Sequence, residues 1–352
     1  MKKFIAKVTG KKKPEEPAGR ITTDTLAEHR EKVLAGGRKF KYPVQYQRHR
    51  LVINAAIISA SALVILIGVG WYLLYPAQNT SEFMYRVTKV VPVPVAVVDG
   101  QQVRYSDYLM QYRSNLHYLV EKEQVDVTTE NGKRQVDFIK AQSMESAIAN
   151  AFASKKAREL DIQVTDAELE TFLTQQRQMA DGEVTEAAYN SVIEDYYGWS
   201  ADEYRDAMKN KLLRQKVAFA LDNTAIKVTE DIENAITAGQ TDLSVVATAF
   251  AKDTEVTVAY TPAAWVPREN RDGGLAKAAA GLQKGQISKA IKTTTGDGYY
   301  YVQLIDSNDD QVQYASLFVP LSEFKNQLKD AQDDKKLTKF INVENLSTQI
   351  QE

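Results

Sequence analysis

Residues 51–75 read LVINAAIISASALVILIGVGWYLLY, a run of 25 residues without a charged side chain. At about 1.5 Å per residue, a helix of this length exceeds the roughly 30 Å hydrocarbon thickness of a bilayer. Trp71, Tyr72 and Tyr75 lie at its C-terminal end, where amphipathic rings favour the headgroup region. The run predicts a single-pass transmembrane helix over 51–75.

A buried core helix and a cleaved signal peptide are the two alternatives for an apolar run near an N-terminus. Core helices rarely continue for this length without polar side chains. A signal peptide has an apolar stretch of about 7–15 residues followed by a small-residue cleavage site, whereas Pro76 and a polar stretch follow here. A retained anchor therefore fits better than either alternative.

Charge is distributed unevenly around this segment. Residues 1–50 contain 14 Lys and Arg against 5 Asp and Glu, whereas the remaining residues contain 30 against 41. Because basic flanks stay in the cytoplasm, we expect a cytoplasmic tail over 1–50 and an extracytoplasmic C-terminal portion in a cell membrane. We interpret the basic residues as a topology determinant, with lipid contact as the alternative, and expect no nucleic-acid partner.

The composition narrows the available chemistry. The 352 residues include no Cys and three scattered histidines, His29, His49 and His117. Thiolate nucleophiles, Cys-based zinc sites and disulfides are excluded, and a His-rich metal site is disfavoured. We expect no metal and no cofactor, and catalysis is not the first interpretation.

Turn and helix signals organise the residues after the anchor. Pro92 and Pro94 disfavour helix, so we predict a linker over 76–94. Asp99-Gly100 separates two apolar runs within 95–103, which predicts a β-hairpin. Helical periodicity follows, and capping-box patterns begin at Thr165 and Ser200. Together they predict a mostly α-helical module over 95–225.

The sequence changes character near residue 226. Short helical stretches are followed by β-prone runs at 255–260 and 299–305, separated by glycine-rich loops. These predict a small α+β domain over 226–311. Residues 312–352 are predicted as a C-terminal strand and helix that pack back on the helical module, although the strand at 312–319 could instead complete the sheet.

Several segments resemble a known class of foldases. VAVVDGQQVRYSDY at 95–108, LDIQVTDAELETFL at 160–173 and GWSADEYRDAMKNKLLRQKV at 198–217 are similar to the N-terminal chaperone module of the SurA, PpiD and PrsA class. Residues 241–305 resemble a parvulin-type peptidyl-prolyl isomerase domain, and the anchor is placed as in the PpiD type. The resemblance implies a membrane-anchored chaperone or foldase.

The parvulin-like part departs from the pattern of the active enzymes. Trp265 and Leu275 fit the family spacing, but Arg271 stands where an apolar side chain is expected, and Tyr300 replaces the histidine of the last strand. Beyond the anchor the chain has a single histidine, His117. The resemblance therefore implies a degenerate prolyl site, with no catalytic residues assigned. An active isomerase with an altered site is the alternative.

Tyrosine is the residue that we expect to contact clients, because its ring offers contact area together with a polar tip. The candidate client-binding residues are Tyr105, Tyr108, Tyr112, Tyr196, Tyr197, Tyr299 and Tyr301. The alternative is that these rings pack the core. The expected partners are unfolded or nascent secreted polypeptides and the lipid bilayer, with secretion or assembly machinery as a further possibility. A tethered assembly subunit with one fixed partner is an alternative function.

Overall fold

The computed structural model describes residues 23–39, 49–179, 182–250, 257–293, 295–333 and 336–343. The chain divides between Tyr72 and Leu73 into two compact units. The first contains α1 (Thr23–Lys39) and most of α2 (Arg50–Leu74). By length and composition α2 is able to cross a membrane, and its most apolar 18-residue window has no buried residues. The absence of charge along 51–75 is what allows this helix to be apolar on every side.

The second unit begins with a helical part. Its elements are α3 (Glu82–Val90), β1 (Pro94–Val98), β2 (Gln101–Arg104), α4 (Tyr105–His117), a π-helical turn (Tyr118–Lys122), α5 (Glu130–Glu159), α6 (Asp166–Arg177), β3 (Gln178–Met179), β4 (Gly182–Glu183), α7 (Glu186–Tyr197) and α8 (Ala201–Leu221). Both predicted capping boxes are confirmed, at Thr165 with Glu168 and at Ser200 with Glu203. Each satisfies backbone N–H groups that the first helical turn leaves unpaired.

The main core forms around α5. Met144, Ile148 and Phe152 recur at four-residue spacing and are fully buried, and α5 packs against α4, α8 and the β1–β2 hairpin. The hairpin prediction is confirmed, because Asp99 and Gly100 both take positive φ between paired strands. The C-terminal strand β9 (Leu337–Lys339) adds to β1, so the hairpin becomes a three-stranded sheet.

The segment 76–94 is more ordered than the predicted linker. Ser81 caps α3, and Met84, Tyr85 and Thr88 are buried on one face of that helix. Met84 and Tyr85 belong to the main core. The linker prediction was wrong for this stretch, since the prolines that suggested it lie outside the helix.

A second part of this unit surrounds a four-stranded antiparallel sheet. Its elements are α9 (Asn223–Thr237), α10 (Leu243–Phe250), β5 (Ala259–Pro267), α11 (Leu275–Ala280), β6 (Ile291–Lys292), β7 (Gly298–Ser307) and β8 (Gln311–Pro320), in the strand order β5-β8-β7-β6. Helices α9 and α10 cover one face of the sheet, and α11 covers the other. Alternate residues of β7 therefore enter different cores, with Tyr299 and Tyr301 on one face and Tyr300 on the other.

Two predicted boundaries fall inside elements of this structure. The boundary at 225/226 lies within α9, which begins at Asn223 directly after α8. The boundary at 311/312 separates β8 from β7, although the two strands pair along most of their length. Residues 312–319 thus belong to the sheet, as the alternative interpretation held.

The chain returns to the main core through α12 (Glu323–Asp333) and β9. The ring of Phe324 meets Phe152 of α5 edge to face, with 5.6 Å between centroids. Asp222 connects the two parts, because its carboxylate accepts hydrogen bonds from Ala225 N at 2.9 Å and from Ser322 N at 2.7 Å. One buried side chain thereby caps α9 and anchors the start of α12.

Candidate functional site

Five of the seven tyrosines expected to contact clients lie in the interior. Tyr105, Tyr108 and Tyr112 form a chain of ring contacts along α4, with centroids 5.9 and 6.0 Å apart. The Tyr105 hydroxyl donates to the Leu74 carbonyl at 2.7 Å, and burial raises the pKa of Tyr105 and Tyr108. Buried rings offer no surface to a client, so the prediction is corrected for these three.

The two tyrosines on β7 are also core residues. Tyr299 is 6 % exposed and Tyr301 is fully buried. The Tyr301 hydroxyl donates to the Thr229 carbonyl at 2.9 Å, and Tyr299 meets Phe219 edge to face. These rings join α8 and α9 to the sheet. Their burial corrects the prediction for this pair as well, in favour of core packing.

Tyr196 and Tyr197, at the end of α7, remain exposed by 46 % and 42 %. The ring of Tyr196 stacks on that of Tyr118, with 6.4 Å between the ring centroids. Tyr118 and Phe138 both line a surface groove that is described below. We call Tyr118, Phe138, Tyr196 and Tyr197 the exposed aromatic surface. Tyr118 and Phe138 were not among the residues expected from the sequence to contact clients.

Polar contacts hold this surface in place. Nε2 of His117 lies 3.0 Å from the Asp195 carbonyl oxygen, and Lys122 Nζ lies 2.6 Å from the Asp195 carboxylate. The same Lys122 ammonium lies 5.1 Å from the Tyr196 ring centroid, a cation–π geometry. The π-helical turn between His117 and Glu123 places both His117 and Lys122 against α7. His117 thus connects the end of α4 to α7 through this contact.

A groove of about 320 Å³ adjoins these rings. Its apolar lining comes from Tyr118, Leu119, Phe138 and Ile139, and its polar lining includes Asn115, Gln135 and Gln142. Aromatic area beside amide groups can accept apolar side chains while exchanging hydrogen bonds with an extended backbone. Contacts of this kind need no titrating groups at fixed distances.

The structure brings together two of the four predicted prolyl-site positions. Leu275 and Tyr300 belong to the cluster between α11 and the sheet. Trp265 is 43 % exposed and lies on the opposite face of β5 from Val266, which packs into that cluster. Arg271 is exposed, and its Nη2 donates to the Gln178 carbonyl at 2.6 Å.

Tyr300 occupies a packed environment. Its ring stacks on Phe318 with 4.5 Å between centroids, and its hydroxyl donates to Asp297 Oδ2 at 2.8 Å. Burial and this hydrogen bond both raise the pKa of the Tyr300 phenol. Tyr300 therefore stays neutral around pH 7. Among the described residues, no group of three or more His, Asp or Glu side chains could hold a metal ion.

Comparison with known families identifies the helical part. Residues 45–218, nearly half of the chain, match the family described as SurA-like N-terminal domain. A search of curated proteins finds no match. This match to a SurA-like N-terminal domain supports the SurA, PpiD and PrsA class of chaperone-type foldases. The exposed aromatic surface lies within the matched range.

Proposed function

We propose that this protein is a membrane-anchored extracytoplasmic chaperone that binds unfolded secreted or envelope polypeptides on its exposed aromatic surface. The observation that carries the proposal is the placement of four exposed rings and a groove inside the SurA-like domain. Exposed apolar area of this kind is typical of interaction sites. The bilayer-spanning role of α2 rests on its length, its composition and its exposed apolar side chains.

We further propose that the four-stranded part is parvulin-like and inactive as an isomerase. The barrier to X-Pro rotation is roughly 18–20 kcal/mol, and lowering it requires a pocket that favours the twisted amide. Three features support inactivity: Tyr300 at the histidine position stacks on Phe318, Leu275 is buried, and Arg271 bonds to Gln178. A protease-coupled assay on the full chain is expected to give no proline-isomerisation rate above background, and robust turnover would defeat this part.

Client binding is tested on the aromatic surface itself. The full chain in non-ionic micelles is expected to suppress aggregation of a denatured client. The double variant Tyr196→Ser/Tyr197→Ser should suppress aggregation about fivefold less effectively, or worse, because it lacks two aromatic rings that contact the client. Tyr260→Ser is the matched control, because Tyr260 is similarly exposed, by 38 %, but lies on β5. Equal activity of the double variant and the control would contradict the assignment.

The number of partners separates a chaperone from an assembly subunit. Crosslinking in membranes followed by purification should recover many unfolded secreted clients. A single stoichiometric partner would instead favour a tethered assembly subunit.

Membrane topology can be measured because the chain contains no cysteine. Lys329→Cys, on α12, should react with a membrane-impermeant maleimide in intact cells, whereas Glu31→Cys, on α1, should react only after lysis. The reverse labelling pattern would overturn the proposed orientation.

A further inference from the structure

A second cavity lies away from the exposed aromatic surface. It has a volume of about 400 Å³ and opens between α5 and α8 on one side and the Thr295–Asp297 loop and α12 on the other. Its size falls in the range of pockets that bind small ligands or a few residues of a peptide. Gly296 permits the loop to approach α8 closely, because its φ is +72° and a Cβ there would collide with Gln215.

Three cations line this cavity. Lys211 and Arg214 are half-buried and three residues apart on α8, and Lys325 faces the same cavity from α12. Among the residues that the structure describes, none forms an ion pair with any of the three. Arg214 Nη1 lies 3.5 Å from Asn150 Oδ1, a weak contact with a neutral group.

Asp297 also lines this cavity, but its carboxylate accepts hydrogen bonds from Thr295 and Tyr300 and forms no ion pair with the three cations. Burial and the nearby Arg214 guanidinium lower the pKa of Lys211, and burial lowers the pKa of Arg214. Half-buried positive charges without an anion destabilise a fold, because neither water nor a carboxylate solvates them fully. An anionic ligand in the cavity would remove this cost.

The remaining lining restricts the kind of anion. Phe324 and Leu328 of α12 contribute apolar surface beside the cations. A ligand that matches both characters carries a carboxylate next to an apolar side chain, and the planar guanidinium of Arg214 suits a carboxylate. We propose that this cavity binds a carboxylate of the client polypeptide, either its C-terminal group or an acidic side chain. This inference rests on the proposed chaperone function.

Binding of labelled peptides to the full chain in non-ionic micelles tests the site. Three peptides share one apolar sequence and carry a free C-terminal acid, a C-terminal amide, or an amide with an internal Glu. The acid or the Glu peptide should bind about tenfold tighter than the plain amide, as expected for one charge-assisted hydrogen bond. Which of the two gains affinity identifies the source of the carboxylate.

Variants that each remove one positive charge test whether the preference for carboxylate arises in this cavity. Arg214→Met and Lys325→Met should abolish the preference for carboxylate, whereas Lys329→Met should retain it, because Lys329 lies on α12 outside the cavity lining. Lys325 is exposed, so Lys325→Met keeps the test valid even if Arg214→Met fails to fold.

The outcomes distinguish this inference from the function on which it rests. Equal binding of all three peptides, with aggregation suppression intact, would overturn only the carboxylate site. Failure of every peptide to bind, with no aggregation suppression, would overturn both. Displacement of the acid peptide by inorganic phosphate at equal concentration would indicate a general anion site and would also overturn the inference.

Discussion

Helices α4 and α7 both carry tyrosines, yet they use them in opposite ways. Tyr105, Tyr108 and Tyr112 of α4 are buried among α5, the hairpin and the last residues of α2. On α7 only Ile193 is buried, and Tyr196 and Tyr197 remain exposed. The two helices thus carry the same type of residue. Whether a tyrosine ring stabilises the fold or is available to a partner depends on which elements cover its helix.

The largest expected effect comes from the buried side of this comparison. Tyr108→Ala removes a ring that is 2 % exposed and touches both Tyr105 and Tyr112. We expect it to lower the free energy of unfolding by about 3–5 kcal/mol, the usual loss for a large buried ring. Urea unfolding of the full chain in micelles measures this. Tyr196→Ala is the control and should change stability by less than about 0.5 kcal/mol.

Similar losses in the two variants would remove the distinction between the two helices. It would mean that Tyr196 is as well packed as Tyr108, in which case the exposed aromatic surface would be part of the fold rather than a binding site.

Local signals were readable from the sequence, whereas long-range packing was not. The uncharged run of α2, the Asp99-Gly100 turn and the two capping boxes each depend on neighbouring residues, and all were predicted. Helix α3 was missed because the flanking prolines outweighed its short buried face. Pairing of β9 with β1 joins distant parts of the chain, and nothing in residues 337–339 indicates it.

The same limit applies to the candidate sites. A tyrosine at helical spacing is compatible with core or surface, so Tyr108 and Tyr196 looked alike in the sequence. The basic cavity was not predicted at all, because Lys211 and Lys325 come together only when α12 returns to α8. The sequence does contain one indication of the basic cavity. Lys211 and Arg214 are two cations on one face of a helix, and neither has an acidic residue four positions later to pair with.

A smaller effect is expected at the junction that holds the exposed rings. Gly198 ends α7 with φ +64°, and an added Cβ would lie 3.1 Å from His117 Cγ. Gly198→Ala should cost about 1–2 kcal/mol through left-handed backbone strain and should also weaken client capture, because the contact displaces His117 or α7. Gly285→Ala is the control, since its φ is +80° but nothing lies within 4 Å. Loss of client capture in both variants, or in neither, would contradict the role of this contact.

The smallest expected effect concerns the support beneath α7. Leu169 and Leu173 of α6 pack against Ile193 of α7 and Tyr204 of α8. Glu168 stabilises this arrangement by accepting from Thr165 N at 2.8 Å and by pairing with Lys216 of α8. The Lys216 ammonium and the Thr165 donors lower the pKa of Glu168 to about 2.

Because the folded pKa lies below the ordinary value of 4.5, the stabilisation is present above pH 4.5 and is lost as the pH falls towards 2. The pair is solvent-exposed, so its contribution is only about 0.5 kcal/mol. Glu168→Gln keeps an oxygen for Thr165 but removes the charge. The wild type should therefore be slightly more stable than the variant at pH 7, and in urea unfolding the difference should shrink below pH 4.5 and nearly vanish at about pH 2. A constant difference across this range would mean that the Glu168 charge does not support α6 and α7, and that apolar packing alone seats the helix that presents the exposed rings.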